Sequence, residues 1–215
     1  MDVVARITLP AFASEFDKNI KKEIKKVFAS KVIKIIPRIK KKMSQQIASA
    51  IRESNVYKDI MAGTQLLGEL GLPNPSDLDA VIEAFSKEIE VEYTPNPRLG
   101  AIKIGIIESS YSKILSMPEA SFISTSAQTG NPTIIEWLRW LLLKGNSVVI
   151  KGYQFIPKSA GRTGLGIMAK SSRGNWSVQQ RYSGTTDNNF VTRALEDKIE
   201  EVIDEIVRQE ITKGI

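Results

Sequence analysis

Cysteine and histidine are both missing from the 215 residues, and their absence excludes whole classes of chemistry. Without Cys there is no disulfide, no thiolate nucleophile and no Cys-containing zinc site. Without His there is no Ser-His-Asp triad, and no imidazole to shuttle protons near neutral pH. Long apolar runs are missing too. The longest candidate, Ile134 to Leu143, is broken by Glu136 and Arg139, well short of the ~20 residues a membrane-spanning helix needs. The N-terminus has Asp2 and Arg6 but no apolar core of a secretory signal, so neither export nor a membrane partner is expected. Any catalysis would rest on carboxylates, Lys, Tyr or a carboxylate-bound metal.

The net charge of +6 is unevenly placed. Residues 1–45 hold twelve Lys/Arg against four Asp/Glu, so the remainder of the chain is slightly acidic. This asymmetry suits a polyanion partner. The candidate contacts are Lys18, Lys21, Lys22, Lys25, Lys26, Lys40, Lys41 and Lys42. After a strand-like start (Val3 to Leu9), Pro10 opens a helical pattern in which Phe12, Phe16, Ile20, Ile24 and Phe28 recur every four residues. Ile36, Ile39, Met43, Ile47 and Ile51 continue the stripe, and Pro37 is expected to kink or split the helix. The bland reading is a solvated Lys face on a helix packed along its apolar side. The functional one is an arm lying on nucleic acid or an acidic neighbour, although interleaved aromatics and Arg forks are missing.

The fold class expected is α+β: a small antiparallel or mixed sheet of about four strands packed with long amphipathic helices, plus the basic N-terminal helix. The segments are a helical arm over 1–55 and a core over 56–215. Val56 to Leu70 reads as a helix stopped at Gly71, and Ser76 as the N-cap of another carrying Leu78, Val81, Ile82, Phe85 and Ile89. Leu99 to Glu108 and Ser147 to Ile156 alternate as strands, and Val91 to Tyr93 is extended. Leu165–Ala169 and Trp176–Gln180 read as two more strands, joined by a turn at Ser171–Asn175. Asn131-Pro132 has the form of a helix start, leading to a helix through Lys144 with Trp137 and Trp140 in the core or an interface. Asp187 or Asn188 is a natural cap for a C-terminal helix with Phe190, Leu195, Ile199, Ile203 and Ile206 on one face. Small-residue loops span about 109–131, with a short helix at Tyr111–Leu115, and 157–164.

Chemistry-bearing patterns are few. Gly161-Arg-Thr-Gly-Leu-Gly166 is spaced G-x-x-G-x-G, which is not the dinucleotide fingerprint, and a strand rather than a helix follows it. Its glycines are read as shape, not as a phosphate cradle. Glu108 at a strand end, with Glu119 as a possible companion, is the one position that resembles catalytic placement. Glu200, Glu201, Asp204 and Glu205 are read as the solvated face of the last helix. Asn175-Trp-Ser177 matches a glycosylation sequon by chance.

One stretch carries a resemblance. Pro157-Lys-Ser-Ala-Gly-Arg-Thr-Gly-Leu-Gly-Ile-Met168, then Trp176, then Ser183-Gly-Thr…Asp187-Asn-Asn-Phe-Val-Thr-Arg-Ala-Leu195 and a Glu-rich terminal helix resembles the neck, or tail-completion, proteins of tailed bacteriophages. The match runs over roughly residues 132–208 in the expected order; the basic helix and residues 56–95 lie outside it. The resemblance implies a virion protein, made in the host cytoplasm, that closes into a homo-oligomeric ring at the head–tail junction. Its partners would be the portal or adaptor ring and the tail terminator or tail tube, with DNA passing through the lumen. It implies no catalytic residue, no cofactor and no metal. Gly161, Arg162, Thr163 and Gly164 would form an interface loop. Asn189, Phe190, Arg193 and Leu195 would fix the last helix to the sheet. A nucleic-acid-binding protein using the basic helix is the alternative, and a carboxylate-dependent hydrolase centred on Glu108 a third.

Overall fold

The computed structural model describes residues 2–6, 16–95, 100–106, 111–125, 130–159, 161, 163–196 and 199–214. Pro10, Phe12, Pro97, Leu99, Glu108, Arg162 and Lys198, and the Lys18 side chain, therefore lie outside the described residues. The class is α+β, and the described strands form three small antiparallel sheets rather than one sheet of four. The molecule divides into two compact units, one of residues 1–47, 86–107 and 198–215 and the other of residues 48–85 and 108–197. These boundaries differ from the expected 1–55 and 56–215 segments.

The first unit carries β1 (Asp2–Arg6), β2 (Ile89–Thr94) and β3 (Ala101–Ile106) in the order β1-β3-β2. Ile102 and Ile104 are buried while Lys103 between them is exposed, the two-residue alternation of a sheet with one covered face. Most of helix α1 (Phe16–Arg52) lies in this unit, and α8 (Ile199–Gly214) closes it. Pro37 does not split α1; the helix runs through it. The ring of Pro37 is exposed, so it breaks the hydrogen-bond ladder on the solvent side, where water can take over. Along α1 the apolar stripe divides in two. Val32, Ile35, Ile39, Met43 and Ile47 are buried, whereas Ile20, Ile24 and Val27 are exposed. The expectation of a helix packed along its apolar side is corrected for its first half: among the described side chains the stripe is buried only from Val32 onwards.

The second unit begins with the end of α1, then α2 (Asn55–Met61) and α3 (Gln65–Leu70) where one helix was expected. Gly63, at φ 66°, ends the first and lets Thr64 begin the next. Ser54 caps α2 by accepting from the Tyr57 N–H, and Gly71 closes α3 in the left-handed region, as expected. Helix α4 (Asp77–Lys87) buries Leu78, Val81, Ile82 and Phe85. Arg52 ties the end of α1 to it through Asp79 at 3.0 Å and Glu83 at 2.7 Å. The Ser76 hydroxyl turns back to Asn74 Oδ1 instead of capping α4, while its carbonyl accepts from Asp79 and Ala80.

The expected loop of 109–131 holds α5 (Ser112–Leu115), a 3-10 turn at Pro118–Ala120 and strand β4 (Phe122–Thr125). β4 pairs with β5 (Pro132–Ile135), so Asn131-Pro132 opens a strand and not a helix. Proline is tolerated there because it is the first residue of an outer strand and owes no donor to a ladder. Helix α6 (Trp137–Leu143) starts five residues later than expected and is apolar nearly all round. Trp137 is fully buried, with its indole N–H donating to the Glu119 carbonyl at 2.8 Å.

Strands β6 (Ile150–Pro157) and β7 (Gly166–Trp176) form a hairpin. The expected turn at Ser171–Asn175 is absorbed inside β7. Lys151 pairs with Asn175 and Tyr153 with Lys170, so residues 171–174 bulge opposite the single residue Gly152, which sits at φ 74°. Turn-forming residues are present as read, but they make a bulge; residues 177–180 are not strand. The expected C-terminal helix is described on either side of residues 197 and 198, as α7 (Phe190–Glu196) and α8 (Ile199–Gly214). α7 belongs to the second unit and α8 to the first.

Candidate functional site: a cavity beside the hairpin and the loop at its tip

Gly161, Thr163 and Gly164 lie in the connection between β6 and β7. Lys158 N–H donates to the Leu165 carbonyl at 2.9 Å and Gly164 N–H to the Gly161 carbonyl at 3.0 Å, closing a compact tip. A Cβ on Gly161 would sit 1.9 Å from the Gly166 carbonyl oxygen, and Gly164 adopts φ 72°. These glycines serve close backbone approach and a left-handed turn. Among its described residues the tip makes no helix N-terminus for a phosphate to sit on.

Asn189 precedes α7, and Phe190, Arg193 and Leu195 lie along it. Asn189, rather than Asp187 or Asn188, is the cap. Its Oδ1 accepts from Val191 at 3.0 Å and Thr192 at 3.2 Å, and Thr192 Oγ1 accepts the Asn189 N–H at 2.8 Å in return. The reason it wins is burial. The Asn189 amide also donates to the Tyr111 hydroxyl at 2.7 Å and the Thr185 carbonyl at 3.0 Å. Gly184 makes room, since a Cβ there would lie 2.3 Å from that of Asn189. Arg193 donates to the Ser183 carbonyl and to Asn188 Oδ1. Asn189 and Arg193 bind α7 to the 183–188 turn and to Tyr111, and Phe190 and Leu195 are buried. Burial first of all raises the Tyr111 hydroxyl above its ordinary value.

The basic residues of α1 divide by their surroundings. Lys22, Lys26, Lys40 and Lys41 are exposed, and Lys21 and Lys25 are half-buried. Lys42 is engaged inside the first unit, 2.7 Å from Glu210, with Arg38 at 3.5 Å. Glu210 is buried, and the Lys42 hydrogen bond holds its carboxyl below the usual range against the opposing effect of burial. Glu200, Glu201, Asp204 and Glu205 are exposed, as read.

Glu119 has Asp77 for a neighbour. Burial raises the Asp77 carboxyl, with the Glu119 charge as the next cause. Among the described residues no group of three acidic side chains could hold a metal ion.

Sequence reasoning missed a second cluster, built on Glu69, Asp59 and Tyr182. The Tyr182 hydroxyl donates to Asp59 Oδ2 at 2.5 Å, and the Arg181 guanidinium lies 4.5 Å over the Tyr182 ring. Burial, followed by the Asp59 hydrogen bond, pushes Tyr182 up to about 12. Glu69 on α3 accepts from both Gln65 and Gln179 on Oε1. It also lines a cavity of about 690 Å³ between α3, β4–β5 and the β6–β7 hairpin, together with Phe122, Trp140, Tyr153 and Thr163. The sequence held one signal for it: a Glu at an otherwise apolar position of Leu66-Leu67-Gly68-Glu69-Leu70.

No helix among the described residues is long and apolar enough to cross a membrane. Compared with models of protein families, with curated proteins and with solved structures, the chain matches none.

Proposed function

We propose that this chain is a structural ring subunit at the head–tail junction of a tailed phage particle. There it joins the portal or adaptor ring to the tail terminator or tube and carries no catalysis. The observation that supports this most is a pair of hairpins with apolar residues left in solvent. In β4–β5, Ile123 and Ile134 are direct cross-strand partners and are 69% and 66% exposed. In β6–β7, Ile156 and Ile167 are partners too, and both are exposed. Each is a two-stranded ribbon, marginal on its own in water, with open edges and an apolar pair that an adjacent chain can cover. Ring subunits need two such faces, because each contact around the ring joins different surfaces of neighbouring copies. The exposed stripe of Ile20, Ile24 and Val27 offers a further apolar surface.

The test is a particle assay. Ile123→Asp with Ile134→Asp leaves the buried core untouched. The expected outcome is a folded subunit that no longer joins heads to tails, with the native protein located at the neck by electron microscopy of whole particles. Absence of the native protein from purified virions, or normal incorporation of the double variant, overturns the proposal.

A second reading, nucleic-acid binding along α1, is favoured by the exposed ammonium groups of Lys22, Lys26, Lys40 and Lys41. In the ring reading the same groups face an acidic neighbour or the DNA that threads the lumen.

A further inference from the structure

Glu69 is 6% exposed, and its Oε2 is a buried oxygen with no hydrogen-bond partner among the described residues. Both nearby amides, Gln65 Nε2 and Gln179 Nε2, donate to the other oxygen. Buried polar atoms are nearly always paired, and an unpaired carboxylate oxygen is among the costliest to leave. The local fold holds it there. Gly68 brings α3 so close to the hairpin that a Cβ would fall 2.9 Å from both the Phe155 ring and Leu165 Cβ.

The same residue lines the cavity of about 690 Å³, within the size range of small-molecule sites. Its walls are mostly apolar and aromatic: Phe122, Ile135, Trp140, Ile150, Tyr153 and Met168. Among the described residues two charged ones line it, Glu69 and Lys170. Lys170 is exposed and so stays hydrated, which leaves Glu69 as the buried charge. An anion would be repelled. A neutral donor would pair with the oxygen but leave the charge uncompensated, whereas a cation supplies both the hydrogen bond and the opposite charge. Aromatic faces add attraction for the same kind of group.

We propose that this cavity binds an organic cation, an alkyl-guanidinium or alkyl-ammonium group that donates to Glu69 Oε2, with the chain behind it lying along the aromatic walls. The group is either free or carried at the end of an Arg or Lys side chain. This site is independent of the ring reading, since it can be measured on the isolated full-length chain.

The experiment is calorimetric titration of the full-length protein with agmatine, with N-acetylarginine amide, and with butylurea as the neutral counterpart. The expected result is millimolar or tighter binding of agmatine, weakened at least about tenfold, or about 1.4 kcal/mol, by Glu69→Gln. Glu69→Gln is expected to keep or raise the melting temperature, because it removes a buried charge. A second variant, Thr133→Trp, fills the cavity from an exposed wall position and is expected to abolish binding with Glu69 intact. If N-acetylarginine amide binds as well as agmatine, the mouth admits a peptide backbone and the source is a protein side chain. If agmatine alone binds, the source is a free cation. Failure of both cations to bind, equal binding of butylurea, or binding unchanged in both variants overturns the proposal.

Discussion

The Tyr182 hydroxyl is buried and donates to Asp59, and its titration is pushed up to about 12. The neutral phenol is thus favoured in the folded state relative to an unfolded value of about 10. A raised folded value contributes stability that is whole below the unfolded value and drains away as pH climbs to the folded one. Between about pH 10 and pH 12 the protein should therefore lose stability through this group, and Tyr182→Phe should lose less over the same interval. Denaturant unfolding of both proteins across that interval gives the answer, and parallel curves would reject it. Tyr182 also shows what a sequence conceals. Its neighbours in the chain are Arg181 and Ser183, and nothing there announces Asp59, 123 positions away. Glu69 was half-visible, since a carboxylate among leucines is out of pattern, but the cavity beside it exists only after α3 meets the hairpin. By contrast Gly71 could be read directly, because a helix end and a left-handed residue are local facts.

Between elements, the most consequential pairing is α1 with α8. Glu210 is buried with Lys42 at 2.7 Å, and its lowered titration has a definite sign. Stability from the pair is fully present above the ordinary Glu value of about 4.3. It is lost as acid brings the pH down through the lower folded value. Lys42→Met should cost about 1–3 kcal/mol near neutrality by stranding a buried carboxylate. It should also flatten the acid limb, since the main cause holding Glu210 ionised is gone; Arg38 and Lys213 remain as weaker causes. Urea unfolding near neutral pH and in acid separates the two effects, and an unchanged acid limb would contradict the assignment. Element by element, the chain was legible where period and punctuation agreed. β2, β3 and β6 alternate, and α4 and α6 carry their apolar stripes. It misled where punctuation was borrowed for another use: Asn131-Pro132 opens a strand, and the 171–175 turn residues make a bulge opposite Gly152. Both outcomes depend on a strand partner from elsewhere, which local sequence does not specify. Pro37 misled in the same way, because packing of Ile35 and Ile39 holds α1 together through it.

For the molecule as a whole, the charge asymmetry survives folding as a basic face on α1. If the exposed Lys22, Lys26, Lys40 and Lys41 bind DNA phosphates, affinity should fall steeply with salt. Reversing these four charges to Glu should then remove most of the salt slope, by up to about one unit for each phosphate no longer neutralised. Fluorescence anisotropy with duplex DNA over a salt series measures it. Binding that ignores salt, or that survives the four reversals, rejects the nucleic-acid reading and leaves the ring proposal intact.

The assignment of residues 198–215 to the same unit as residues 1–47 and 86–107 has a consequence for biosynthesis. Residues 48–85 and 108–197 can gather into their unit while the chain is still being made. The first unit cannot. Ile35 on α1, buried and next to Gly214 of α8, must wait for that helix with only the β-strands made in between. During translation the residues of α1 thus find their final partners only after the much later α8 has been made. For that interval the nascent protein presents a long, lysine-rich amphipathic helix that is a natural client for a ribosome-associated chaperone.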